Sequence, residues 1–336
     1  MTDGFSASAH GRIISSTFRP HPLLRDAHVQ TLFPALLRPL PALDIRRERL
    51  ETPDGDYVDL GWCGDENKSG PLAVLVHGLT GGFESKYLRG TANQLIARGW
   101  RCVLLQLRGG GSEANRTPYQ YNHGDSRDLR YLWHELKRRE PQTPLHSLGW
   151  SLGANVTLKA LAEEGTNAPL VAAAVASVPF ELEPCAQKLR TGFSRVYQNK
   201  MLRELYAIIR RKHGPVPVPS MVNLSATLAA KDFFEFDDAY IAPIAGYKNA
   251  LDYYAKCSSR QFVKSIRIPT LIVHALDDPF MRPDIVPKES ELSPQVTLEL
   301  SERGGHVGFI GASDWGKPTF WLEQRLTDYL TEQLKS

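Results

Sequence analysis

Short apolar runs alternate with amphipathic stretches along much of this chain. Residues 72–76 and 102–106 have the length and the continuous apolar character of buried strands. Each run is followed by a stretch, 87–98 or 125–139, in which apolar residues recur at helical spacing. This alternation predicts right-handed crossover connections and a mostly parallel sheet with helices on both faces.

An antiparallel hairpin is predicted ahead of the alternating region, at the edge of the sheet. Residues 46–51 and 57–62 flank Pro53-Asp54-Gly55, a sequence typical of turns. Further strand candidates follow at 145–150, 171–177, 268–275 and 296–300. Together these segments predict an α/β fold with an eight-stranded sheet.

The alternation stops after the sixth predicted strand. Residues 193–211 form an amphipathic helical pattern and 215–219 are rich in proline, but no comparable strand run occurs before residue 268. We therefore expect an inserted helical cap. The expected organisation is an N-terminal extension packing on the core (1–45), the core itself (46–178 and 263–336) and the cap (179–262). An apolar content of 42% is enough for a large core of this kind.

Ser151 is the candidate nucleophile. It lies in Gly149-Trp150-Ser151-Leu152-Gly153, between the strand candidate 145–150 and a helical pattern at 152–164. A serine in Gly-x-Ser-x-Gly at a sharp bend between a strand and a helix exposes its hydroxyl, and the glycines keep Cβ atoms out of the crowded turn.

A serine nucleophile needs a histidine base and a carboxylate that orients the histidine. Asp277 and Asp278 follow the strand candidate 268–275, and His306 follows the candidate 296–300 in a glycine-flanked loop. His306 is therefore the candidate base, and Asp277 and Asp278 compete for the role of the acid.

The reaction also needs two backbone N–H groups that stabilise the oxyanion, one of them from the residue after the nucleophile. Leu152 is that residue. For the second donor we choose the N–H of Leu79, in the glycine-rich loop 77–82 that follows the strand candidate 72–76.

Six segments spread over almost the whole chain share the pattern of a known family. They are His28-Val29-Gln30-Thr31-Leu32-Phe33-Pro34, His77-Gly78-Leu79, Arg108-Gly109-Gly110-Gly111-Ser112-Glu113-Ala114-Asn115, Gly149-Trp150-Ser151-Leu152-Gly153-Ala154-Asn155, Asp277-Asp278-Pro279-Phe280 and Gly304-Gly305-His306. In these segments the chain resembles AB-hydrolase family 4 of the AB-hydrolase superfamily. Relatives often carry Arg-Gly-Cys-Ser-Gly at residues 108–112, where this chain differs.

The resemblance implies an α/β-hydrolase fold and a serine hydrolase of carboxylic esters, with short or medium acyl chains or acylglycerols as substrates. It favours Asp278 as the acid, because a carboxylate directly before a proline stands at the usual distance beyond the proline that starts the strand in this superfamily. Asp277 remains the alternative.

Composition argues against several other classes of protein. The net charge of +3 over 336 residues gives no sign of the basic stripe of a nucleic-acid binder. The histidines lack metal-ligand spacing, and residues 108–112 lack the Gly-Lys-Ser/Thr of a phosphate-binding loop. We expect a small-molecule ester substrate, no cofactor, no metal and no nucleic acid.

No apolar run approaches the roughly 20 residues that span a bilayer. The four cysteines lie far apart and no signal peptide precedes them, so we expect a cytoplasmic protein with reduced thiols. Residues 188–212 of the expected cap combine apolar residues with basic ones: Arg195, Lys200, Arg203, Arg210, Arg211 and Lys212. The simpler interpretation is a helix with a solvated basic side, and the alternative is peripheral contact with anionic lipid.

Three other functions are compatible with the same residues. The protein could transfer the acyl group to an alcohol, or it could cleave a thioester or an amide with the same three residues. It could also be a non-catalytic scaffold that acts as a binding partner. The sequence gives no indication of an oligomeric state.

Overall fold

The structure, a computed structural model, describes residues 10–66 and 69–335. Residues 1–9 of the expected N-terminal extension, and residues 67, 68 and 336 of the expected core, lie outside the described residues. The strands are β1 (Arg12–Ser15), β2 (Arg46–Glu51), β3 (Tyr57–Cys63), β4 (Leu72–Val76), β5 (Arg101–Gln106), β6 (Leu145–Trp150), β7 (Ala172–Ala176), β8 (Thr270–Ala275), β9 (Val296–Ser301), β10 (Ile310–Ala312) and β11 (Pro318–Phe320). The helices are α1 (Ala27–Leu36), α2 (Lys86–Ile96), α3 (Arg127–Arg139), α4 (Leu152–Glu164), α5 (Leu182–Leu189), α6 (Ser194–Lys212), α7 (Leu224–Ala229), α8 (Phe233–Phe236), α9 (Ala242–Ala245), α10 (Ala250–Cys257) and α11 (Trp321–Gln333).

The main sheet has the strand order β1-β9-β8-β7-β6-β4-β5-β3-β2. The pairs β2 with β3 and β3 with β5 are antiparallel, and the other neighbours are parallel. The predicted α/β class and the hairpin at the edge of the sheet are confirmed.

The predicted number of eight strands was wrong, because the main sheet formed by residues 10–66 and 69–335 has nine. The additional strand, β1, has only four residues and pairs with the edge strand β9. A segment this short carries no periodic pattern, and its extended conformation depends on a partner nearly 300 residues away along the chain. A separate two-stranded ladder joins β10 and β11.

The central strands are apolar throughout because helices cover the sheet on both faces. Successive residues of β4 belong to two different apolar clusters: Leu72, Val74 and Val76 to one, and Ala73 and Leu75 to the other. Side chains alternate between the faces of a strand, so the two clusters are the two sides of the sheet.

The chain between β7 and β8 folds into the helices α5 to α10. These helices share a third apolar cluster that includes Phe236, Tyr240, Tyr253 and Tyr254. Leu79 and Phe280, which lie outside this segment, also pack against that cluster. The helical segment therefore contacts the loops that follow β4 and β8.

The simpler interpretation of the basic segment places Lys212 on a solvated face of α6, and this is wrong. The side chain of Lys212 is buried, and its Nζ donates to Asn115 Oδ1 at 2.6 Å and also to the carbonyl of Tyr119. Burial lowers the pKa of Lys212 to about 7. The last turn of α6 is therefore anchored on the loop that follows β5, a contact that the local sequence does not reveal.

None of the helices in the described part of the chain combines the length and the apolar character that crossing a membrane requires.

Candidate active site

Ser151 occupies the sharp turn between β6 and α4. Its backbone has φ +54°, in a region that residues other than glycine rarely adopt, and its N–H donates to the carbonyl of Ala176 at 3.0 Å. A Cβ atom added at Gly153 would lie 2.3 Å from the carbonyl oxygen of Val76, and one added at Gly149 would lie 2.5 Å from that of Gly153. The turn thus needs both glycines, and it holds Ser151 in a strained conformation.

The imidazole of His306 connects Ser151 with Asp278. Its Nε2 lies 3.0 Å from Ser151 Oγ, and its Nδ1 lies 2.8 Å from Asp278 Oδ2. A carboxylate can only accept, so Nδ1 carries the proton and Nε2 is free to accept the proton of the serine hydroxyl. An arrangement of this kind can activate a hydroxyl for attack on a carbonyl carbon.

The two candidate acids have different partners. Asp278 is 3% exposed, and its second oxygen, Oδ1, accepts the N–H of Phe280 at 2.9 Å. Asp277 accepts the N–H of Gly305 at 2.9 Å instead, and burial raises the pKa of this carboxyl above its usual value. Asp278 is thus the residue that forms the hydrogen bond with His306, and Asp277 holds the loop that carries His306.

Helix α1 holds the same loop from the other side. The hydroxyl of Thr31 accepts the N–H of His306 at 2.9 Å, and the side-chain oxygen of Gln30 accepts the N–H of Ile310 at 2.6 Å. The His-x-Gln-Thr segment of the sequence therefore fixes the histidine loop. Ser177 contributes as well, because its hydroxyl accepts the N–H of Val307 at 3.0 Å.

The amide of Leu79 lies between two amides that already have partners. Gly78 N–H donates to the hydroxyl of Tyr87 at 2.9 Å, and Thr80 N–H donates to the hydroxyl of Tyr121 at 2.9 Å. Among the residues that the structure describes, none accepts a hydrogen bond from the Leu79 N–H. The Leu152 N–H is the first of α4 and has no acceptor within that helix.

The loop 77–82 approaches the serine closely. A Cβ atom added at Gly78 would lie 3.2 Å from Ser151 Cβ. His77 holds the start of the loop, because its Nδ1 lies 2.7 Å from the carbonyl of Gly78 and its Nε2 accepts the N–H of Leu107 at 3.1 Å. Burial lowers the pKa of His77 to about 4, so the ring is neutral and fixes the backbone.

Tyr87 and Tyr121 were not identified from the sequence. Tyr87 belongs to α2, and Tyr121 follows the glycine-rich segment after β5. Burial raises the pKa of both phenols above the usual value, so the hydroxyls stay protonated. Neither residue stands in a local motif, and only the fold brings both hydroxyls to the loop 77–82.

Two cavities meet at Ser151. The larger one, about 380 Å³, lies beside α1 and is lined by Leu32, Tyr87 and His306. The smaller one, about 90 Å³, lies beneath the helical segment. Its lining is largely apolar and includes Leu182, Leu189, Leu205, Phe233, Phe236 and Ile241.

The side chain of Arg108 does not belong to this site. It is 3% exposed and bonds Asp128 through Nε at 2.9 Å and through Nη2 at 2.6 Å. Its Nη1 donates to Asp54 at 2.5 Å. The first residue of the glycine-rich segment 108–112 is therefore part of a buried ion network that joins the loop after β5 to the β2-β3 hairpin.

Comparison with known proteins agrees with this architecture. A family model described as the alpha/beta hydrolase fold matches residues 71–313. The chain is 40% identical over 324 residues to YheT of Escherichia coli, a protein named as a candidate esterase, and the match covers 96% of this chain and 95% of that one. It is 29% identical over 309 residues to phospholipase ABHD3 of Mus musculus, covering 90% of this chain and 75% of that one.

Among solved structures, the Pyrococcus furiosus esterase Pf2001 resembles this chain with a TM-score of 0.56 at 17% sequence identity. The match covers 97% of this chain and 96% of that one, and at this identity it bears on the fold alone. The family match over residues 71–313, the likeness to YheT along almost the whole chain, and the Gly-x-Ser-x-Gly turn between β6 and α4 lead to one assignment. The chain belongs to the alpha/beta hydrolase family.

Proposed function

We propose that the protein is a serine hydrolase that cleaves carboxylic esters, with Ser151 as nucleophile, His306 as base and Asp278 as the carboxylate that orients the base. The observation that carries the proposal is the hydrogen-bonded chain from Asp278 through His306 to Ser151, at the junction of two cavities. The names of the relatives, candidate esterase and phospholipase, support the same reaction type.

In the first half of the reaction, Ser151 Oγ attacks the ester carbonyl carbon while His306 Nε2 accepts the hydroxyl proton. The carbonyl oxygen becomes an oxyanion, and the N–H groups of Leu79 and Leu152 stabilise it. When the carbon–oxygen bond to the alcohol breaks, His306 returns the proton to the departing alkoxide. The product at this stage is an ester of Ser151.

In the second half, water replaces the alcohol. His306 accepts a proton from the water, whose oxygen attacks the acyl carbon, and the proton then goes to Ser151 Oγ as the acid leaves. Asp278 accepts the Nδ1 proton of His306 in a hydrogen bond, so that Nε2 remains the base.

The helical segment 179–262 acts in this proposal as a cap that shapes the acyl site. The smaller cavity beneath it is largely apolar and ends at Ser151, which suits a short or medium acyl chain. The larger cavity beside α1 would then receive the alcohol, including the bulkier alcohol of an acylglycerol.

A nitrophenyl ester series of increasing acyl length tests the proposal. Ser151→Ala should lower kcat/KM by at least about 10⁴-fold, because the nucleophile is removed while the fold is kept. A fluorophosphonate probe should label the wild type at Ser151 and leave the variant unlabelled. Hydrolysis that is unchanged in Ser151→Ala would falsify the proposal, and a wild type that neither hydrolyses esters nor reacts with the probe would indicate a scaffold.

Added ethanol separates hydrolysis from acyl transfer. A hydrolase should give mainly the free acid at moderate ethanol concentrations, and an alcohol acyltransferase should give mainly the ethyl ester from the same acyl-enzyme. Matched thioester and amide substrates of the best acyl length then show which leaving group the site prefers.

Peripheral contact with a membrane through the cap remains a prediction. Arg195, Lys200, Arg203 and Arg210 of α6 are exposed, and so are the nearby apolar side chains Phe193 and Val196. Flotation with vesicles that contain anionic lipid, compared with neutral vesicles, tests it. If the protein floated with neither kind of vesicle, this contact would be contradicted.

A further inference from the structure

One hydrogen bond connects the helix α6 to the loop that carries the proposed oxyanion donor. The hydroxyl of Thr80 donates to Glu204 Oε2 at 2.6 Å. The other oxygen of Glu204 pairs with Lys200, one turn earlier on the same helix. Glu204 thus has one partner on its own helix, and it reaches across to the residue that directly follows Leu79.

Thr80 needs such a partner because its backbone is strained. Its φ is +57°, and a β-branched side chain is a clear outlier in that region. A conformation of this kind persists only when its surroundings hold it. Two groups do so here: Tyr121 from the core accepts the Thr80 N–H at 2.9 Å, and Glu204 from the cap accepts its hydroxyl.

The direction of the Leu79 N–H depends on this conformation. The Leu79 N–H belongs to the peptide group between Gly78 and Leu79. A rotation at Thr80 would change the path of the loop 77–82 and with it the direction of that N–H. The side chain of Leu79 packs against the apolar cluster of the core and against that of the cap. The donor is therefore in contact with both parts of the protein.

We propose that Glu204 is a positioning residue for the oxyanion site. Because Glu204 holds the Thr80 hydroxyl, the direction of the Leu79 N–H depends on how α6 packs against the core. This inference rests on the proposed function. Glu204 also lines the larger cavity, which would receive the alcohol, but its proposed effect on the reacting atoms passes through Thr80. Because the oxyanion is absent from the bound substrate and forms only as Ser151 attacks, the contact should affect kcat and leave KM nearly unchanged.

Four single variants test the contact. Glu204→Ala removes the acceptor, and Thr80→Val removes the donor while it keeps the β-branched shape. Each should lower kcat roughly 10- to 100-fold, the range expected when an oxyanion donor is misplaced rather than deleted. Glu204→Gln and Thr80→Ser keep a hydrogen bond between the two residues and should stay within about threefold of the wild type.

The double variant Glu204→Ala with Thr80→Val shows whether the two residues act as one unit. If they act through a single hydrogen bond, the double variant should be no slower than the slower single variant. Glu183→Ala is the matched control, because Glu183 is an exposed glutamate of the cap helix α5 that bonds Gln187 on its own helix. It should keep the wild-type kcat.

A trifluoromethyl ketone provides a readout of the oxyanion site itself. Addition of Ser151 Oγ to its carbonyl carbon places an oxyanion where the Leu79 and Leu152 N–H groups point, while the hydroxyl proton passes to His306. The affinity for this ketone should fall in Glu204→Ala by about the same factor as kcat. The melting temperature should stay within a few degrees of the wild type.

Several outcomes would overturn the inference. A wild-type kcat in Glu204→Ala and Thr80→Val would do so, as would a raised KM with an unchanged kcat, or a loss of activity in Glu204→Gln as large as in Glu204→Ala. If the variants lost kcat but bound the ketone as tightly as the wild type, the oxyanion role would also be wrong. A wild type without Ser151-dependent hydrolysis would instead contradict the proposed function.

Discussion

The ring of Phe280 stacks on the imidazole of His306, with ring centroids 4.0 Å apart and an angle of 15° between the planes. The backbone of the same residue donates its N–H to Asp278 Oδ1 at 2.9 Å. Phe280 therefore touches both the proposed base and the carboxylate that orients it. The ring limits rotation of the imidazole, and the amide fixes the carboxylate.

Phe280→Leu should lower kcat about tenfold, because leucine keeps the backbone amide and much of the apolar bulk but lets the imidazole leave the orientation in which Nε2 faces Ser151. Steady-state kinetics with a short acyl ester measures the effect. Phe262→Leu is a suitable control, since Phe262 is a partly buried phenylalanine outside both cavities. Equal rates for Phe280→Leu and wild type would show that the stacking has no role in orientation.

Asp278→Asn and Asp277→Asn should differ sharply. An amide at position 278 cannot hold His306 in the tautomer with a protonated Nδ1, so we expect kcat to fall on the order of a thousandfold to ten-thousandfold. At position 277 the amide oxygen can still accept the Gly305 N–H, and a change of less than about tenfold is expected. Kinetics of both variants on one ester decides between the two acids. A larger loss of kcat in Asp277→Asn than in Asp278→Asn would mean that Asp277 is the acid.

The chain order of the three candidate residues, serine, aspartate and histidine, could be proposed from the sequence because each candidate stands beside a local signal. Ser151 is marked by its glycines, and Asp278 and His306 follow strands that end at the same edge of the sheet. In the structure His306 lies within hydrogen-bond distance of both Ser151 and Asp278. The two proposed oxyanion donors also stand beside local signals: Leu79 lies in the glycine-rich loop 77–82, and Leu152 directly follows Ser151.

The supporting residues could not be predicted, because their roles arise only from the fold. Tyr87, Tyr121 and Glu204 lie in different elements and meet at the loop 77–82 through tertiary contacts. The strand β1 depends on β9, and Lys212 depends on the loop after β5, so neither shows in the local pattern of apolar and polar residues.

Gly153→Ala should destabilise the protein even though alanine favours a helix. The gain in helix propensity is about 1 kcal/mol, but the added Cβ would lie 2.3 Å from Val76 O and 2.5 Å from His77 O. Backbone atoms in a sheet cannot move aside easily, so we expect a net loss of about 2 kcal/mol or more in the free energy of unfolding. Urea denaturation measures it.

Gly111→Ala is the control for that substitution. A Cβ atom added at Gly111 would meet its nearest neighbours at 3.6 Å, which is ordinary contact, and we expect a change within about 0.5 kcal/mol. Similar stabilities for the two alanine variants would mean that α4 can move away from β4, and that the close packing of the turn is not needed.

Asp237 should make the stability of the protein decrease as the pH rises from about 4 to 7. Its carboxyl is buried in the cap, where Oδ2 accepts the hydroxyl of Tyr254 at 2.7 Å. Burial raises the pKa of Asp237 from 3.8 to about 7, against the opposing effect of the Tyr254 hydrogen bond. The folded protein thus keeps a proton that the unfolded chain releases near pH 4.

The sign of the effect follows from that difference. Stability from the protonated carboxyl is complete below the unfolded pKa and is lost as the pH rises through the folded pKa, with a limiting slope of about 1.4 kcal/mol per pH unit. Asp237→Asn has no such proton and can still accept the Tyr254 hydroxyl. We therefore expect the free energy of unfolding of Asp237→Asn, relative to that of the wild type, to rise by about 2 kcal/mol between pH 5 and pH 7. Above pH 8 this difference should rise little further.

Urea unfolding of both proteins at pH 5, 6, 7 and 8 measures this difference. Burial lowers the pKa values of four histidines, His77, His123, His146 and His274, to about 4. They act in the opposite direction, because the unfolded chain takes up their protons first as the pH falls. They are common to both proteins and cancel when the two unfolding free energies are subtracted. A difference that stays constant from pH 5 to pH 8 would mean that Asp237 is ionised in the folded cap, with its charge compensated by groups other than Tyr254.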